Sequence, residues 1–66
     1  MTEPYYCNHG GAPTIIVKTR AWSFIDGEWK EISRAEAYTK AQLIGELEFK
    51  RLFGDLPPLP LRSNNT

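Results

Sequence analysis

Cysteine and histidine are almost missing from this 66-residue chain, with one of each, Cys7 and His9. A single cysteine excludes an internal disulfide. The pair also falls short of the four nitrogen or sulfur ligands of a structural zinc site, so a metal would need carboxylates or several converging chains. No metal or other cofactor is expected. Charge of one sign is lacking too, because eight basic and eight acidic side chains cancel. Nucleic-acid binders usually carry a basic excess, since neutralising phosphates dominates their affinity. No apolar run approaches the roughly 20 residues that span a bilayer, so no membrane association is expected. Met1-Thr2-Glu3-Pro4 is acidic and lacks the basic-then-apolar pattern of a secretory signal. A lone cysteine suits a reducing compartment, which makes the cytoplasm the expected location.

The length allows one domain, residues 1–66, and no more. A chain this short buries only about 60% of the surface its unfolded form exposes. Proteins of this size often lean on a disulfide, a metal or a partner chain. The composition leaves the partner chain as the support to look for.

Four regions follow one another. Residues 1–13 carry Pro4, Asn8, Gly10, Gly11 and Pro13, which punctuate loops, and read as an irregular arm. Residues 14–32 read as a β-hairpin. Thr14-Ile15-Ile16-Val17-Lys18-Thr19 is rich in β-branched residues that suit a pleated surface. Asp26-Gly27 is a strong hairpin-turn signal, because a primed turn demands positive φ. A two-residue loop there sets Phe24 opposite Trp29, Trp22 opposite Glu31 and Ala21 opposite Ile32. Trp22, Phe24 and Trp29 then share one face, which needs a cover because a two-stranded ribbon is marginal alone.

Ser33-Arg34-Ala35-Glu36 has the form of a capping box. It predicts a helix over 34–53, ended by Gly54. A second start at Thr39-Lys40-Ala41-Gln42 offers an alternative, a short helical turn and then the main helix, with a break near Tyr38. On a helical wheel Tyr38, Ala41, Ile44, Phe49, Leu52 and Phe53 share an apolar arc, the natural lid for the hairpin. Glu36/Lys40 and Glu46/Lys50 are spaced i, i+4 with the acid first, as on a solvated face. Glu48 interrupts the apolar arc and calls for a cation such as Arg20, since an unpaired buried carboxylate is costly. Residues 55–66 form a Pro-rich tail, in which Pro57, Pro58 and Pro60 forbid helix and favour polyproline II. The expected fold class is α+β: one hairpin, or a short three-stranded sheet with a strand from the arm, packed by one C-terminal helix.

Candidate functional residues each face a structural alternative. Cys7 near His9 resembles a nucleophile with its base, but no third residue orients the pair. A glycine-rich arm whose cysteine packs as a small hydrophobe accounts for it as well. Trp22, with Arg20 and Lys18 beside it, is a candidate for contact with a protein partner. Alternatively Trp22, Phe24 and Trp29 could stack bases, with Lys18, Arg20 and Lys30 meeting phosphates, yet so small a chain needs its aromatics for its own core. Leu43 and Leu47 form an i, i+4 pair among charges, which reads as a docking stripe for a partner or a second copy, or equally as a pair buried under the N-terminal arm. Pro57, Pro58, Pro60 and Arg62 have the outline of a Pro-rich ligand, or of a strap folded back over Trp22, Trp29 or Phe53. No phosphate loop, paired-carboxylate site or metal motif is present. The sequence therefore favours a non-enzymatic protein-binding module. It would inhibit or regulate a larger enzyme or complex, as small proteins of phages and other mobile elements do, or serve as an accessory subunit or pair with itself as a homodimer. A small nucleic-acid-binding regulator is the alternative.

Overall fold

Three two-residue turns fold the first half of the chain back and forth. The computed structural model describes residues 4–60. Strands β1 (Tyr5–His9), β2 (Ala12–Val17), β3 (Arg20–Ile25) and β4 (Glu28–Ile32) form an antiparallel meander. Gly10 and Gly11 both hold positive φ between β1 and β2, as do Asp26 and Gly27 between β3 and β4. That is the conformation whose twist matches the flanking strands. Between β2 and β3 the turn is Lys18-Thr19, and Lys18 takes φ 56 without being a turn-forming residue type.

The chain then crosses the sheet as helix α1 (Arg34–Lys40), returns as a three-residue strand β5 (Gln42–Ile44) and ends in helix α2 (Glu46–Phe53). β5 pairs antiparallel with the outer edge of β1, so the five-stranded order is β4-β3-β2-β1-β5. The fold class is α+β, as the sequence indicates, but with five strands and two helices.

Register decides what each face carries. Tyr5 opposes Ile16, Cys7 opposes Thr14 and Leu43, and Ile16 opposes Ala21. These residues share the face that α1 covers, where Cys7, Ile16, Ala21 and Ala37 form the buried cluster and Tyr5, Ile32 and Ala41 pack around it. The other face carries Tyr6, Ile15, Trp22, Phe24 and Trp29. There α2 lays Phe49 against Tyr6, with ring centroids 5.0 Å apart, and Phe53 against Phe49 at 5.1 Å. The molecule is a sheet with one helix on each side.

The structure corrects several expectations. Within the expected arm of residues 1–13, Tyr5–His9 form strand β1 and Ala12 and Pro13 open β2, because the Gly10-Gly11 pair is a hairpin turn and not a loop; residues 1–3 lie outside the described residues. Pro13 is tolerated inside a central strand because the β2–β3 ladder begins only at Thr14. It pairs with Asn8 on the other side. His9 and Ala12 close a two-residue loop, so strict alternation makes the Asn8–Pro13 pair one that needs no N–H.

The single helix over 34–53 is two helices, and the break lies at Ala41, not near Tyr38. Ala41 has extended backbone, and Gly45 precedes α2. An unbroken helix of 20 residues would run about 30 Å, off the edge of so narrow a sheet. Breaking it lets residues 42–44 satisfy the free edge of β1 and delivers Phe49 to the opposite face. The expected apolar arc is accordingly divided: Ala41 packs under α1, Ile44 lies in β5, and Tyr38 and Leu52 are exposed.

The caps follow the sequence more closely. Ser33 Oγ accepts from the Glu36 N–H at 3.0 Å. The Glu36 carboxylate lies 3.3 Å from His9 Nε2. The Glu36 side chain of the capping box thus points toward β1 at His9. Gly54 ends α2 at φ 74, its N–H donating to the Lys50 carbonyl.

Two hydroxyls lie in the interior. Thr14 Oγ1 and Ser23 Oγ are 3.0 Å apart on adjacent strands, and Thr14 Oγ1 donates to the Ala12 carbonyl. Each hydroxyl thus has a partner while both residues are buried. Thr14→Val would strand the Ser23 hydroxyl, at a cost of about 1–3 kcal/mol. In urea denaturation this single variant should be clearly weaker than wild type. The double variant Thr14→Val, Ser23→Ala should recover most of the loss, because an apolar pair of similar shape leaves nothing unsatisfied.

Candidate functional site

The two edges of the sheet differ in character. β4 exposes Glu28, Lys30 and Glu31, charges of the kind that discourage edge pairing. β5, at the opposite edge, carries exposed Leu43, and Leu47 stands on the first turn of α2 beyond it. Leu43 is 63% exposed, Leu47 81% and Tyr38, on α1, 55%. Leu43 and Leu47 are not neighbours on one helix, as their spacing suggested, because β5 intervenes. Both nevertheless stand in solvent.

Two open grooves flank Leu43. One, of about 410 Å³, lies between Tyr5-Tyr6 of β1 and Leu43 to Glu46. The second, of about 220 Å³, runs under α1 past Ala37, Tyr38 and Ala41, and shares Tyr5 and Leu43 with the first. Leu43 is thus a ridge between two hollows. Tyr38 is held beside the second groove by Arg34, whose Nη2 donates to the Tyr38 hydroxyl at 2.9 Å and whose guanidinium lies 5.1 Å from the ring centre. Burial, and after it the Glu46 carboxylate, push the Tyr6 hydroxyl above its ordinary pKa and keep it neutral.

The hairpin residues singled out for partner contact are arranged differently. Trp22 is buried, with the Arg20 guanidinium 4.6 Å above its ring. Arg20 in turn makes a forked pair with Glu31, Nε and Nη2 donating at 2.9 and 3.0 Å. This guanidinium is therefore spent on Glu31 and not on Glu48, which pairs instead with Arg51 at 2.8 Å. Trp22 offers no free face for a base to stack upon. Lys30 lies 3.9 Å from Glu28, and Lys18 sits in the β2–β3 turn. Pro57 meets the hairpin directly: Trp29 Nε1 donates to its carbonyl at 2.9 Å. Pro58 lines the same cleft, and Pro60 follows, exposed. Arg62 lies outside the described residues.

Cys7 and His9 project from the same face of β1 but belong to the structure around them. Burial raises the Cys7 thiol above its ordinary pKa, the opposite of what an activated nucleophile requires. Among the described residues no cluster of three or more potential metal ligands occurs, and no helix is long and apolar enough to cross a membrane. Sequence reasoning missed Tyr5 and Tyr38 as groove residues. Tyr5 lay in the supposed arm, and Tyr38 was assigned to the buried arc. The β-forming run Gln42-Leu43-Ile44 followed by Gly45 was the signal that could have revealed β5.

Compared with protein families, curated proteins and solved structures, the chain matches none.

Two measurements check this electrostatic picture. The Cys7 thiol should react with a disulfide reagent only slowly in the native protein and at the ordinary rate once unfolded. The Arg20 fork, by hydrogen bond and then by charge, holds the Glu31 carboxyl below its ordinary value. A lowered folded-state pKa contributes stability above the unfolded value and loses it as the pH falls through the folded one. Glu31→Gln should therefore flatten the acid limb of the stability curve and change little at acidities where the carboxyl is already protonated.

Proposed function

We propose that this chain is a non-enzymatic protein-binding module whose principal contact surface is the β5 edge. The observation that carries this reading is the exposure of Tyr38 and Leu43 at two open grooves, with exposed Leu47 following on the first turn of α2. A small chain that leaves such side chains in water forgoes burial worth about 1.5–3 kcal/mol each, which a partner can recover. The grooves on either side of Leu43 suit apolar side chains presented by a larger protein. Tyr38, fixed by Arg34, supplies a large contact area with little motion left to lose. Such a module would act as an inhibitor or regulator of an enzyme or complex, or as an accessory subunit, in the cytoplasm.

The nucleic-acid alternative draws less support. Its aromatic platform includes the buried Trp22, and Arg20 is already engaged by Glu31.

The test is a native-mass measurement on the tagged protein recovered from its own host, beside Leu43→Asp and Leu47→Asp. A defined complex should form with wild type, and each variant should lose it while keeping the wild-type circular dichroism. Each substitution should weaken binding at least about tenfold, since loss of one well-buried contact residue costs more than about 1.4 kcal/mol. Undiminished complex formation by folded variants would remove the β5 edge from the interface.

A further inference from the structure

On the face of the sheet opposite α1, residues 55–60 pass over a groove built from Tyr6, Ile15, Trp29 and Phe49. The burial along this segment has a period of three. Leu56 and Leu59 are half-buried, whereas Pro57, Pro58 and Pro60 are exposed. Three residues per turn is the period of polyproline II. The prolines fix their own φ near −65° and push the preceding residues toward extended backbone, so Leu56 and Leu59 fall on one edge of the segment and face the groove. The segment has no internal hydrogen bonds to offer its carbonyls, and Trp29 Nε1 supplies one to Pro57 at 2.9 Å. Aromatic walls and an indole donor aimed at a proline carbonyl are the chemistry by which extended proline-rich segments are recognised.

The strap does not fill its groove. A cleft of about 200 Å³ remains between the strap, Tyr6, Ile15, Trp29 and Phe49. Side chains that line such a space lack neighbours on one side and forgo dispersion contacts.

We propose that this groove is a receptor for an extended leucine- and proline-rich segment of another protein, and that residues 55–60 hold it in the meantime as a loosely fitting internal ligand. The incoming segment sets two apolar side chains, three residues apart, where Leu56 and Leu59 now lie. It also presents a carbonyl to Trp29 Nε1. Because the strap is tethered at Gly54, it competes at an effective concentration on the order of millimolar, which weakens the apparent affinity of any outside segment. The site uses neither Leu43 nor Leu47 and stands or falls separately from the β5 surface.

The test uses the whole chain and two synthetic peptides. One has the sequence Asp-Leu-Pro-Pro-Leu-Pro-Leu-Arg, and the other has alanine in place of every proline. The readout is the Trp29 indole N–H resonance, with that of Trp22 as an internal reference. In the strap-loosened variant L56S/L59S the proline peptide should shift the Trp29 signal and leave Trp22 nearly unmoved, and the alanine peptide should do neither. Loosening the strap with L56S and L59S together should tighten the apparent Kd at least about tenfold, because more of the protein is then open. Trp29→Phe should abolish the response in fluorescence detected from a labelled peptide. No Trp29 shift at millimolar proline peptide in folded L56S/L59S would overturn the proposal. If that variant does not fold, the absence of saturable binding of the labelled proline peptide to wild type, at peptide well above the effective concentration of the strap, would do so. An equal response to the alanine peptide would also overturn it. A dimer that grows with protein concentration in the absence of peptide would assign the groove to the strap of a second copy instead.

Discussion

Ala37 is fully buried against Cys7, Ile16 and Ala21, and the placement of every later element depends on that contact. Small side chains at Cys7, Ala21 and Ala37 let the helix approach the sheet closely, with Ile16 filling the space between. A larger residue at Ala37 would lift α1 and move the point where the chain leaves it. With α1 seated across β1, β2 and β3, its exit at Ala41 lies beside the outer edge of β1. The next three residues can then complete that edge as β5, and α2 begins on the far side of the sheet. A chain with a single cysteine, and so no internal disulfide, obtains its second layer of cover in this way, by wrapping one short sheet on both faces.

The same route decides where apolar surface is left over. The hairpin end of the sheet spends its aromatic and basic residues on itself: Arg20 stacks on Trp22 and forks to Glu31, while Phe24 packs edge-on to Trp29 at 5.0 Å. The β5 end is served by only three paired residues, and Leu43 and Tyr38 remain exposed around hollows that no described side chain fills. Between the two ends, the Leu-Pro strap lies over Tyr6, Trp29 and Phe49 with space beneath it. Surfaces of these two kinds, one bare and one loosely occupied, are the ones on which the proposed contacts rest. Of Cys7 and His9, the most chemical-looking pair in the sequence, Cys7 is part of the buried core and His9 lies beside Glu36 of α1.

Local physics made some of this legible beforehand. Asp26-Gly27 dictated its own turn and, through it, the pairing of Phe24 with Trp29, Trp22 with Glu31 and Ala21 with Ile32. Ser33 capped a helix that starts one residue later, and Gly54 ended the last one. Those features depend on a handful of adjacent residues and on backbone conformations only certain side chains allow. Gly10-Gly11 carried an equally good turn signal, but the strand before it, Tyr5 to His9, is polar enough to pass for a loop until both its neighbours are in place. The turn at Lys18-Thr19 had no signal of its own, since Lys18 accepts a left-handed φ only because the strands on either side demand it.

The α+β class, the β3–β4 register and the ends of the helical region were thus determined by the sequence alone, because each follows from contacts within a few residues. The break at Ala41, the strand Gln42–Ile44 and the division of the aromatic residues between two faces were decided only by the tertiary structure. Residues 41–53 alternate and cycle well enough to suit a helix. What overrides that pattern is the free edge of β1, whose unpaired backbone groups gain hydrogen bonds only if the chain gives up helix for three residues. The candidate sites inherit this division. Leu43 and Leu47 stood out as apolar residues among charges, but the setting of Leu43 at a sheet edge between grooves, and of Leu47 on a separate helix, came from a competition between helix and strand that no local stretch of sequence records.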